Sequence, residues 1–110
     1  MEVSFTSKSM QKRCSEEEVL QKYWGKNARK LKQRLMELRA ATTLQDIGRT
    51  PPARCHELVG DRKGELSVDL QQPYRLIFKP DHSPVPRTED GGLDWDSVTE
   101  VMVIEVADTH

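Results

Sequence analysis

The sequence has no long hydrophobic run. Its longest aliphatic stretch, Val101 to Ile104, is four residues, too short for a membrane-spanning helix or the apolar part of a secretory leader. Cysteine is scarce, and Cys14 and Cys55 stand forty-one positions apart without Cys-x-x-Cys spacing. They are expected to be reduced thiols rather than a disulfide or metal framework. Three scattered histidines supply no ligand set, so no metal and no cofactor is expected. Glycine-rich nucleotide loops, Gly-x-Ser-x-Gly and His-Glu-x-x-His are all missing. Neither sign of charge prevails, since 17 Lys plus Arg face 18 Asp plus Glu. A soluble, cytoplasmic protein with no membrane partner is the expectation.

What the chain does contain suits one small domain spanning residues 1–110. Hydrophobic residues make up 35% and charged residues 32%, enough for a lean core. The balanced charge conceals a division. Residues 1–64 carry fourteen cations and eight acids, net +6, whereas residues 65–110 carry three and ten, net −7. Such asymmetry suggests an anionic partner for one surface, unless folding brings the two halves together.

Glu2 to Phe5 alternate polar and apolar and read as a short strand. Ser15-Glu16-Glu17-Glu18 fits a capping box opening a helix through Val19, Leu20, Tyr23 and Trp24, with Gly25 as its C-cap. Asn27 can cap a second helix, whose Ala28, Leu31, Leu35 and Leu38 form one buried stripe. Its other faces carry Lys26, Arg29, Lys30, Lys32, Arg34 and Arg39, which would serve equally to track phosphates or as a solvated helix face. The period then changes. Leu66, Val68 and Leu70, a turn at Gln71-Gln72-Pro73, and Tyr74, Leu76 and Phe78 predict a β-hairpin. A long Pro- and Gly-containing loop over residues 80–96 leads to a terminal strand from Val98 to Ala107, apolar on both faces as in a central strand. The expected class is α+β: a small antiparallel sheet with an N-terminal α-hairpin packed on one face.

Arg54, His56, Arg62 and Lys63 place one imidazole and three cations around a turn bracketed by Gly60 and Gly64. The glycines would let backbone approach a ligand, and the same composition would serve a solvated hairpin entrance. Arg75 alternates with Tyr74 and Leu76, which points it away from their face. At the end, Asp108 and His110 share a side by alternation, so an acid could orient an imidazole, or the tail could simply fray. His82 stands without an evident partner, and Trp24 and Trp95 read as packing residues.

Four stretches together resemble the RelE/ParE superfamily of bacterial toxins, specifically its HigB-like, plasmid-maintenance-killer branch. They are Leu35 to Ala41, Arg54 to Gly64, Tyr74 to Phe78, and Asp108 to His110, and the match covers nearly the whole chain. The resemblance implies two helices on an antiparallel sheet. It also implies a metal-independent endoribonuclease that enters the ribosome, cuts messenger RNA, and is restrained by a helix-turn-helix antitoxin, with DNA contacted only through that partner. By the same resemblance His56 and His110 would transfer protons, Asp108 would orient them, and Arg75 would hold the phosphate. Arg54, Arg62, Lys63, Lys30 and Arg34 complete the expected RNA contacts. The chain departs from the family's pattern at Val59, where many members have lysine, and at Thr109, where tyrosine is common. Those departures leave a gyrase-poisoning, ParE-like toxin, or a non-catalytic relative, as alternatives.

Overall fold

The computed structural model describes residues 1–108. The chain forms β1 (Glu2–Phe5), α1 (Lys8–Ser15), α2 (Glu17–Trp24), α3 (Ala28–Ala40), β2 (His56–Glu57), β3 (Leu66–Asp69), β4 (Tyr74–Pro80) and β5 (Glu100–Asp108). This is the expected α+β class, with two departures. β1 pairs in parallel with β5, so the sheet, ordered β1-β5-β4-β3-β2, is mixed rather than purely antiparallel. The helical layer also starts earlier than the hydrophobic pattern suggested. Ser7 caps α1 by accepting a hydrogen bond from the Met10 amide.

α1 was hidden by its polarity. Only Met10 and Cys14, one turn apart, are buried, and the rest of the segment is Lys, Gln, Arg and Ser. Because Ser15 ends α1, the capping box does not form: Glu16 adopts an extended conformation between the two helices and makes no side-chain cap. Gly25 does close α2, at a φ of 53° that suits a residue without Cβ. Asn27 precedes α3 but gives its side-chain oxygen to the Gln71 amide at 2.9 Å, tying the helix start to the β3–β4 turn.

The core lies between the helices and one face of the sheet. Met10 and Cys14 of α1 and Leu31, Leu35 and Leu38 of α3 pack with Leu66, Val68, Leu76, Phe78, Val101 and Val103. Each fully buried Leu or Phe contributes about 1.5–3 kcal/mol relative to exposure. Trp95 joins this core from the loop before β5, and Trp24 packs against its edge.

Pairing fixes which residues occupy the other face. Leu66 pairs with Phe78 and Val68 with Leu76 on the helix side, so Ser67 with Ile77, and Asp69 with Arg75, face away. A bulge in β5 then reverses the phase: Phe78 pairs with Val103, yet Ile77 pairs with Glu105, leaving Ile104 as the extra residue. Before the bulge the odd-numbered Val101 and Val103 face the helices; after it Val106 does, and Glu105 is turned to the open face. The apolar run that resembled a doubly covered strand is thus a strand that changes face.

The loop over residues 80–96 is present as expected, braced by an Arg87–Leu93 bridge. His82 is not partnerless. Its Nε2 accepts hydrogen bonds from the Thr99 and Glu100 amides at 3.1 and 3.2 Å, anchoring the start of β5.

Candidate functional site

The helix-free face of β2, β3 and β4 gathers His56, Asp69 and Arg75 beside Arg54. β2 is short, but its register sets His56 opposite Ser67, and through β3 within reach of Arg75 on β4. The β2–β3 connection is closed by the Leu58 amide donating to Glu65 O at 2.9 Å, with Gly60 and Gly64 at φ of 65° and 98°. Those left-handed conformations explain why glycine brackets the turn.

Arg75 Nη1 lies 2.9 Å from His56 Nε2, and His56 Nδ1 lies 3.1 Å from the Arg54 carbonyl oxygen. A guanidinium has only donors, so Nε2 accepts and Nδ1 carries the proton that is donated to Arg54. The imidazole therefore presents its lone pair toward Arg75. Arg54 Nε donates to Asp69 Oδ2 at 2.6 Å, and Arg75 Nε stands 3.6 Å from Asp69 Oδ1. The first distance is a charge-assisted hydrogen bond; the second is close enough for attraction but too long for a hydrogen bond. Arg54 adopts a φ of 47°, an uncommon value for a side chain of its size. This conformation accompanies the aim of its carbonyl at His56 and of its guanidinium at Asp69.

The other predicted residues are distributed less favourably. Arg62 donates to Glu65 and Glu105, both at 2.8 Å, reaching across β4 from the turn to β5. Its hydrogen bonds to Glu65 and then to Glu105 hold its pKa above the ordinary arginine range, and the two carboxylates occupy its charge. Lys63 is exposed next to Arg62 and forms no ion pair among the described residues. Lys30 is exposed on α3, on the opposite side of the sheet from His56.

Arg34 corrects the expectation of a phosphate-binding helix face. It is only 3% exposed. Its Nε donates to Asp69 O at 2.7 Å, Nη2 to Pro52 O at 3.1 Å, and Nη1 to Glu37. These contacts fasten α3 to β3 and to the segment before β2, and burial keeps Arg34 from reaching RNA. The helical stripe of leucines was legible, but Arg34 flanks Leu35 on its buried edge, where only the docking angle of α3 decides exposure.

Asp108 pairs with Tyr74, one residue out of phase with the Arg75–Ala107 pair. His110 and Thr109 lie outside the described residues. Val59, at 86% exposed, offers a hydrocarbon surface at the turn where the resemblance anticipates a cation.

The carboxylate missed by sequence reasoning is Asp69, which read only as the polar position of an alternating strand. A signal was available: Asp69 and Arg75 are equidistant from Gln72 at the turn, which predicts that they face each other across the hairpin. The cysteines are remote from this chemistry. Burial pushes the Cys14 thiol up to about 11 and the Cys55 thiol up to about 12, keeping both protonated at neutral pH.

On the His56 face the Ser67 and Ile77 side chains are fully buried and the Arg75 side chain is only 12% exposed, whereas His56 itself is half-buried. A cleft of about 430 Å³ beside the end of α3 is lined by Asp46, Ile47 and Pro52 and by none of the predicted site residues. Among the described residues no group of three or more His, Cys, Asp or Glu side chains is placed to hold a metal ion, and no helix is long and apolar enough to cross a membrane. No family model matches the chain, and no curated protein matches its sequence.

Proposed function

We propose that this protein is a ribosome-dependent, metal-independent messenger RNA endonuclease of the RelE/ParE toxin type, HigB-like in its branch, held in check by a helix-turn-helix antitoxin. The observation that carries the reading is the 2.9 Å contact between His56 Nε2 and Arg75 Nη1 on the helix-free face of the sheet. Metal-free RNA cleavage needs a base for the 2′-hydroxyl and a cation at the same phosphate, and this pair supplies both within one hydrogen bond.

In this mechanism a phosphodiester accepts the Arg75 donors, and Nε2, relieved of that contact, takes the 2′-hydroxyl proton. The 2′-oxygen attacks phosphorus in line, the bond to the 5′-oxygen breaks, and an acid protonates that leaving oxygen. The products are a 2′,3′-cyclic phosphate and a 5′-hydroxyl end. By resemblance the acid is His110, with Asp108 orienting it. Arg54 adds positive charge beside Arg75 and Lys63 adds it at the neighbouring turn, whereas Arg62 joins only if its carboxylates release it.

The test is to express the protein and map transcript 5′ ends. Wild-type expression is expected to produce new 5′-hydroxyl ends within translated regions, and His56→Ala or His110→Ala to reduce them by about 10²-fold or more. Intact transcripts during wild-type growth arrest overturn the proposal. A second reading, a gyrase-poisoning toxin without nuclease chemistry, is favoured by the exposed hydrocarbon at Val59 and by the two carboxylates that occupy Arg62. It predicts trapped, cleaved DNA when the purified protein is added to gyrase, and it falls if supercoiling proceeds unaffected.

A further inference from the structure

We infer that Arg62 is a stacking platform for a nucleobase next to the cleaved phosphate, one that bears an exocyclic amino group; as part of an RNA site, this rests on the ribonuclease reading above. Arg62 Nη1 donates to Glu65 Oε1 and Nη2 to Glu105 Oε1, both at 2.8 Å. Glu65 immediately precedes β3 and Glu105 belongs to β5, so the guanidinium is held between the two strands that flank β4. Both hydrogen bonds lie in its plane and fix its position.

What lies beneath that plane is hydrocarbon. Pairing sets His56, Ser67, Ile77 and Glu105 in one row across the helix-free face. No helix packs over Ile77, yet it is fully buried. The Arg62 side chain, crossing β4 to reach Glu105, is placed to cover it and stays 34% exposed itself. A planar cation with an aliphatic floor and solvent above it is a surface on which a base can stack. Two strand spacings of about 4.8 Å put this floor about 10 Å from His56 along the row. A nucleotide beside the scissile phosphate, and not that phosphate, therefore meets Arg62.

Charge decides between a base and a phosphate as the ligand. Arg62 contributes +1 and its two carboxylates −2, so an approaching phosphate meets net negative charge that a neutral base does not feel. The same carboxylates supply recognition. Each commits only Oε1 to Arg62, and neither Oε2 is hydrogen-bonded among the described residues. Such an oxygen can accept a hydrogen bond from the amino group of adenine, cytosine or guanine. Uracil has no amino group to offer.

The experiment is binding of 2′-O-methyl RNA trinucleotides, which cannot be cleaved because the attacking hydroxyl is capped, with bases all adenine, all uracil or all absent. Wild type is expected to bind the adenine form about 10-fold or more tightly than the abasic one, with uracil between them. Arg62→Lys keeps the charge and loses the plane, so the preference for bases should collapse. In Arg62→Ala the slope of log affinity against log salt should stay as in wild type, because no phosphate contact is removed. The inference is overturned if wild type binds all three alike or binds none, a result that needs no variant to fold. It is also overturned if Arg62→Lys keeps the preference, or if Arg62→Ala reduces the salt slope by about 0.7, the mark of one lost phosphate contact. Equal affinity for adenine and uracil overturns the part given to the carboxylates. A wild type that prefers adenine but cuts no transcript defeats the ribonuclease reading and leaves the stacking role of Arg62 standing.

Discussion

Two cations that look alike in the sequence of α3 do unlike work. Arg34 is enclosed and donates to two backbone carbonyls and Glu37, whereas Lys30 is exposed. Arg34→Met would leave those buried carbonyls short of donors, at a cost of about 2–4 kcal/mol. Lys30→Ala should stay within about 0.5 kcal/mol. Urea unfolding of both variants measures the contrast, and equal small effects would contradict the bracing role of Arg34. The thiols give a second expectation. Burial raises Cys14 and Cys55 from an ordinary 9.0 to about 11 and about 12. Native protein should therefore react slowly with an alkylating reagent near pH 8, and quickly once unfolded. The sign for stability follows from raised folded-state values. The contribution of the buried thiols is complete below pH 9 and is lost as pH climbs toward 11–12, because the unfolded chain releases those protons first.

Elements with a strong repeating pattern were readable, and those without one were not. The α3 stripe and the β3–β4 hairpin appear where periodicity placed them, because apolar spacing of 3.6 or 2 dictates a single buried face. α1 has just two buried apolar anchors and leaves almost no signal. In β5 the pattern misled, since the extra residue Ile104 lets one strand present Val103 and then Val106 to the same core. Deleting Ile104 would restore simple alternation and keep Val103 and Val106 toward the helices and Glu105 on the other face, because the deletion removes only the unpaired residue. The deletion variant is therefore expected to fold, at a cost within about 2 kcal/mol for the lost Ile104 contacts. Circular dichroism with thermal melting reads this directly, and loss of the cooperative melt would contradict the assignment of Ile104 as the extra residue.

Across the whole molecule, the electrical division of the chain is partly cancelled by folding. The pairs Arg54–Asp69, Arg62–Glu65 and Arg62–Glu105 all join the basic first half to the acidic second half. They converge on the open face, so the candidate site lies at the seam between the halves rather than within the basic one. The main core occupies the other side of the sheet. Leu35, 1% exposed and central to that core, should cost about 2–5 kcal/mol when changed to Ala. The site faces away from it, so the folded fraction of Leu35→Ala should bind inorganic phosphate with wild-type affinity. Denaturant titration beside phosphate titration tests this, and a large loss of affinity would show that the two faces are not independent.

The amino-acid order alone determined the α+β class, the principal core positions of α3 and of the hairpin, and the grouping of Arg54, His56 and the glycine-bracketed turn, because periodicity and turn chemistry act over a few neighbouring residues. Tertiary structure decided the parallel pairing of β1, the change of face in β5, the burial of Arg34, and the meeting of Asp69 with both Arg54 and Arg75. Those outcomes depend on strand register and helix docking, which are set by contacts between segments far apart in the chain. An arginine's charge is the same wherever it stands, but its availability depends on which distant carboxylate or carbonyl the fold brings to it.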